Sequence, residues 1–171
     1  MKKRNDNYVD LLAQPEEVRT AVRVTEVTGV RTVFTREQRN VAILLSWDEY
    51  VALAETVRLA GDPGRLAAIR KNDDEIARTG GVPLEEAVSA GTVLLAAEAA
   101  SALRGLAGAA RDAALRALGA IAANPIAGAP LFEPLRGIWV FREDRIRIVY
   151  RVSHDGNMAG VVLVEAAEED G

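Results

Sequence analysis

The sequence predicts an α+β fold, on three observations. Short runs rich in Val, Ile and Leu stand near both ends of the chain, as GVRTVF and VAILLS early and as GIWVF, RIRIVYRV and MAGVVLV late. Polar turns of hairpin length join them. The stretches between carry apolar residues at helical spacing or are rich in alanine, and several have start and stop signals of their own.

At 171 residues, the chain is long enough for one domain or two small ones. It has no cysteine, which excludes disulfides and thiolate sites and fits a cytoplasmic location. The net charge is only -4, with 13 basic against 15 acidic residues up to position 90 and 8 against 10 after it. Nucleic-acid binding would therefore need a local basic patch. No run approaches a transmembrane length free of charge, so a soluble chain with no membrane partner is expected. There is no metal-ligand cluster, glycine-rich nucleotide loop or serine-histidine-acid set, so no cofactor and no metal are expected.

Taking the elements in order, GVRTVF, the turn REQRN and VAILLS form an antiparallel hairpin. Ser46 then caps a helix, with Glu49 three residues on and Leu45 and Tyr50 at the staple positions. Tyr50, Leu53, Ala54 and Val57 make its apolar stripe, leaving Glu49, Glu55 and Arg58 to water, and it stops near Gly61. Trp47 and Tyr50 are expected to pack at its start. A second helix begins with Asp62 and Pro63 and ends at Gly80-Gly81. Its stripe of Leu66, Ile69 and Ile76 is thin and needs a surface to lie on.

After the short β-prone run TVLL, the alanine-rich segment reads as two helices broken around Gly105 to Gly108. Leu115, Leu118 and Ala122 mark the second, and Asn124-Pro125 closes it. Paired strands around REDR and a last strand MAGVVLV complete the order, followed by the acidic end EAAEEDG.

The strand from Arg145 to Val152 has a charged alternation. Period two puts Arg145, Arg147, Val149 and Arg151 on one face and Ile146, Ile148, Tyr150 and Val152 on the other. The plain reading is the solvated outer face of an edge or end strand. The functional reading is a phosphate-binding surface shared with Arg142, since guanidinium forks suit phosphate.

Two resemblances sharpen this choice. NPIAGAPLFEPLRGIWVFREDRIRIVYRVSHDGNMAGVVLV, preceded by GTVLLAAEAASALRGL, resembles a RelE/ParE-superfamily toxin over about 91–164. VRTVFTREQRNVAILLSWDEYVALAETVRLAGDP is similar to the body of Phd/YefM antitoxins over about 17–88. Together they imply a Phd/YefM-like α/β N-terminal domain at 1–61, an antitoxin-type neutralising helical segment and linker at 62–90, and a RelE-like domain at 91–171 with helices on a small antiparallel-rich sheet. The neutralising contacts fall to Leu66, Ile69 and Ile76.

In RelE-type toxins the concave face binds messenger RNA on the ribosome, and the resemblance carries those contacts onto Arg142 and Arg147, with Arg151 on the same strand as a further RNA-contact candidate. It places Ile146 and Val140 where the family has tyrosine and a basic residue. No arginine, lysine or tyrosine follows Arg151, and Glu165, Glu168, Glu169 and Asp170 put acid where the active family is basic. The one histidine, His154, sits in a turn. The resemblance thus implies a non-catalytic toxin-like half, with a latent ribosome-dependent endoribonuclease or a gyrase-directed toxin as the alternatives. Ribosome and mRNA are partners only if latent activity survives. The antitoxin-like half implies a homodimer that binds its own operator DNA, through Lys2, Lys3, Arg4, Arg36 and Arg39, and an intramolecular antitoxin–toxin contact. A decayed fusion kept as an interaction module is a third possibility.

Overall fold

The computed structural model describes residues 9–84 and 93–166. Lys2, Lys3, Arg4, Glu168, Glu169, Asp170 and the end of the proposed neutralising segment lie outside the described residues. The chain divides into two compact units, residues 1–51 and 52–170.

The first unit opens with a single 3-10 turn and helix α1, Glu16–Thr28. No side chain caps α1, but Glu16 and Glu17 in its first turn complement the helix dipole, and Gly29, at φ 67°, closes it with an N–H donated to Thr25. The hairpin follows as β1 (Thr32–Arg36) and β2 (Arg39–Leu44), antiparallel, with Arg36 opposite Arg39 at the tip. Thr25 is the single buried residue of this unit among the described ones, and its hydroxyl meets that of Thr32 at 3.2 Å. Val33, Phe34, Val41 and Ile43 are all exposed. The described residues of this unit therefore bury very little core of their own.

Helix α2 (Trp47–Ala60) starts where the sequence places it, with the Glu49 N–H donating to Ser46 Oγ at 3.2 Å. Its orientation is the reverse of the expected one. Ala52, Glu55, Thr56 and Leu59 are buried, whereas Tyr50, Leu53, Ala54 and Val57 face outward and Trp47 is 74% exposed. Trp47 and Tyr50 touch each other, with ring centroids 5.5 Å apart, and are not packed into a core. Helix α3 (Pro63–Thr79) has both anticipated ends: Asp62 accepts from the Gly64 and Arg65 N–H groups, and Gly80 caps at φ 81°.

The second unit is built on a six-stranded mixed sheet in the order β3-β4-β8-β7-β6-β5. Its strands are β3 (Val82–Pro83), β4 (Val93–Leu95), β5 (Ala129–Pro130), β6 (Ile138–Glu143), β7 (Ile146–Val152) and β8 (Ala159–Ala166). β4 runs parallel to β8 and the other pairs are antiparallel. Helices α4 (Ala97–Gly105) and α5 (Gly108–Ala123) cover one face through Ala99, Leu103, Ala114, Leu118 and Ile121, over Ile146, Ile148, Tyr150 and Val161. Alanine on these helices brings them close to the sheet. Tyr150 is inside this layer. Its hydroxyl accepts from the Gly128 N–H at 3.0 Å, and a Cβ at Gly128 would lie 2.6 Å from that oxygen.

The opposite face is also covered. Leu59 and Ile69, with Leu66 and Ile76 beside them, pack on Leu131, Leu135, Ile138, Val140, Val149 and Val162. β7 is thus not an edge strand, and the middle of its arginine face is covered: Val149 is fully buried and Arg147 is 1% exposed, while Arg145 and Arg151 at the two ends stay exposed. The helices preceding the sheet in the chain occupy the place that water was expected to fill. Among the described residues no helix is long and apolar enough to cross a membrane.

Candidate functional site

The covered face holds a cluster of charges. Burying the stripe Ala52, Glu55, Thr56 and Leu59 brings the Glu55 carboxylate onto the sheet, where it meets Arg147 and Arg142. Glu55 Oε1 accepts from Arg147 Nη2 at 3.2 Å and lies 3.2 Å from Arg142 Nη1. Glu165, on β8, accepts from Arg147 Nη1 at 2.6 Å and from Arg58 Nη2 at 2.7 Å, and its second oxygen is 3.3 Å from Arg65 Nε. Two carboxylates thus hold four guanidinium groups.

The fit is close but incomplete. Arg147 Nε and Glu55 Oε2 are 2.8 Å apart, yet neither atom finds an aligned hydrogen-bond partner, and Arg58 Nε is buried without one. Burial pushes the Glu165 carboxyl above the usual carboxylate range, with Arg147 and Arg65 pulling the other way. Desolvation therefore outweighs the arginines at this group.

Polar contacts around the cluster fix the helices. Thr56 Oγ1 accepts from the Phe132 N–H at 2.9 Å while donating to the Ala52 carbonyl at 2.7 Å. Asn72 donates to the Val162 carbonyl at 2.8 Å. That carbonyl is available because the β7–β8 register shifts beside Val149 and Tyr150, leaving Val162 without a partner across the ladder. Arg151 makes a two-pronged contact with Asp73, at 2.6 Å on each oxygen, which raises the arginine's pKa. Glu75 accepts from the Ala97 N–H at 2.9 Å and so serves the start of α4, which has no side-chain cap of its own. Lys71 pairs with Glu98 at the same end.

The structure thus brings Arg142 and Arg147 together at Glu55 and sets Arg151 apart at Asp73. Leu66, Ile69 and Ile76 line the covering layer, with Ile69 fully buried. Arg36 and Arg39 are exposed and adjacent at the hairpin tip. Sequence reasoning missed Glu55, Thr56, Asn72 and Asp73. The signal was the spacing of Ala52, Thr56 and Leu59, a second helical stripe that runs alongside Glu55. Among the described residues, no group of three His, Cys, Asp or Glu side chains is placed to hold a metal ion.

No family model and no curated protein matches the chain. Among solved structures it is similar to the toxin-antitoxin complex RelBE2 from Mycobacterium tuberculosis, at 24% identity over 50% of this chain and 99% of that one, with a TM-score of 0.40. It is also similar to the isolated E. coli RelE toxin, at 19% identity over 46% of this chain and 85% of that one, with a TM-score of 0.40.

Proposed function

We propose that the chain is a self-neutralised toxin–antitoxin fusion without catalytic activity, in which α2 and α3 act as the neutralising segment and the first unit serves as a dimerising, DNA-binding regulator. The observation that carries this reading is the burial of Arg147 at 1% exposed, with its guanidinium held between Glu55 and Glu165. A phosphate could reach that group only by displacing both carboxylates and the helix that carries Glu55. Covalent linkage keeps the local concentration of that helix high, so even a modest contact stays closed. For the first unit, the support is its exposed apolar hairpin, which asks for a second copy, and the paired Arg36 and Arg39 at its tip, which suit phosphate contacts.

The test is to express residues 91–171 alone, residues 1–90 alone and the two together, following growth and co-purification. A non-catalytic fusion gives no growth arrest from a folded 91–171, together with co-purification of the halves. Arrest by 91–171 that is relieved by Arg147→Ala and by co-expression of 1–90 would replace this reading with the latent endoribonuclease. Arrest insensitive to Arg147→Ala would point instead to the gyrase-directed alternative.

A further inference from the structure

The charged cluster has an order that simple occlusion does not require. Arg147 is the cross-strand partner of Glu165 on one side and of Arg142 on the other. The covered face therefore presents one row across three strands: acid on β8, base on β7, base on β6. The helices present the complement, with Arg58 and Arg65 closing on Glu165 and Glu55 set against Arg147 and Arg142. Each side contributes both signs.

We propose that this row is a two-way charge code, making the sheet selective for a helix–turn–helix segment that carries an acid, a base three residues later and a second base seven residues beyond that. Its occupant here is the chain's own α2 and α3. Segments bearing only acids at these places are refused by Glu165, and segments bearing only bases by Arg147 and Arg142. Reading the segment as a toxin-neutralising one rests on the function proposed above; the code itself does not.

Selectivity, more than adhesion, accounts for these charges. Leu59, Ile69, Val149 and Val162 already supply an apolar contact across the same layer. Buried ion pairs add little to stability over apolar groups of similar shape, whereas an unmatched buried charge is strongly unfavourable. Here Glu55 Oε2, Arg58 Nε and Arg147 Nε lack aligned partners, and burial holds Glu165 above its ordinary pKa, so the ionised row is kept at a cost. Discrimination of this kind arises from repulsion against the wrong partner as much as from attraction to the right one. Asn72 adds a register mark, since its partner carbonyl is freed only at the β8 bulge.

Hydrogen exchange of the full-length protein tests the code, with α4 and α5 reporting that the sheet is intact. Glu165→Gln, which removes charge without reversing it, should accelerate exchange in α2 and α3 only about tenfold, because Arg147 keeps Glu55 and both Arg58 and Arg65 are partly exposed. Glu165→Arg should accelerate it roughly a hundredfold. Adding Arg58→Glu and Arg65→Glu to Glu165→Arg should recover at least about tenfold of that loss. Equal effects of Gln and Arg at Glu165, or no recovery in the triple variant, overturn the proposal. If Glu165→Arg also strips protection from α4 and α5, the partly exposed Arg65 takes its place. Arg65→Glu must then accelerate α3, and Glu165→Gln must relieve it; absence of relief overturns the proposal. Growth arrest by residues 91–171 that co-expression of 1–90 fails to relieve removes the neutralising role and leaves these outcomes unchanged.

Discussion

Replacing Glu55 by alanine tests the strongest electrostatic statement the structure makes. The carboxylate lies 2.8 Å from Arg147 Nε and 3.2 Å from Arg142 Nη1, and the residue is only 3% exposed. Unit charges at about 4 Å interact by roughly 4 kcal/mol at an effective dielectric near 20. Breaking a buried pair by removing one partner costs about 3–5 kcal/mol. Arg147 keeps Glu165 at 2.6 Å after the substitution, which offsets part of that loss. The expected destabilisation is therefore about 2–3 kcal/mol, or a midpoint lowered by roughly 5–10 °C for a chain of this size. With two tryptophans in the chain, a Trp47→Phe background leaves Trp139 as the reporter of the sheet, and urea unfolding followed by its fluorescence gives the number. Removing both partners, as Glu55→Ala with Arg147→Met, should be no worse than Glu55→Ala alone, because the fully buried guanidinium that loses Glu55 is then gone as well. A loss below about 0.5 kcal/mol for Glu55→Ala, or a double variant that falls by the full sum of two independent losses, would refute the reasoning.

Three other outcomes are expected. Asn72→Ala leaves the Val162 carbonyl buried without its donor and should cost about 1–3 kcal/mol in the same urea assay, with α3 the first element to lose exchange protection. Reversing Arg36 and Arg39 to glutamate should abolish retardation of DNA from the chain's own upstream region, and the single Ala variants should each lower the salt dependence of binding by about one charge; unchanged retardation by the double reversal would remove both arginines from the interface. Burial pushes the Tyr150 phenol from 10.0 up to about 12. Between those values the unfolded chain releases a proton that the folded one keeps, so stability falls as pH rises through that window. Spectrophotometric titration of the folded protein should show one of the three tyrosines ionising only near pH 12, and Tyr150→Phe should remove that late step.

Local signals in the sequence were sufficient where the physics is local. Ser46, Asp62, Gly80 and the Gly105-to-Gly108 break set helix ends within a few bonds of themselves, and those ends stand where the signals put them. Alternation along β7 correctly separated Ile146, Ile148 and Tyr150 from Arg147 and Val149. It could not say what covers the second face, because a charged residue on an alternating strand looks the same under water as under a helix carrying the opposite charge. Arg147 became legible only once Glu55, 92 residues earlier in the chain, was placed against it. Helix α1 was missed for a different reason. Pro15 gives it no side-chain cap, and its inner face of Val18, Ala21, Val22 and Thr25 is small and mostly β-branched, which lowers helix propensity and weakens the periodic signal.

Helix α2 carries the more general lesson, because it has two competing stripes. By hydrophobicity alone, Tyr50, Leu53, Ala54 and Val57 should face inward; instead Val57 is 66% exposed and Ala52, Glu55, Thr56 and Leu59 are buried. The choice follows from what each stripe meets. Thr56 finds the Phe132 N–H, Glu55 finds Arg142 and Arg147, and Leu59 finds the apolar layer of Leu131 and Val162. Turning the helix the other way would bury more apolar surface on α2 but strip Glu55 from both arginines, leaving Arg147 to share Glu165 with Arg65. An under-matched buried charge costs more than the difference between two apolar side chains. The electrostatics of the sheet thus decide which side of the helix goes down, and the larger apolar residues stay at the surface as a consequence.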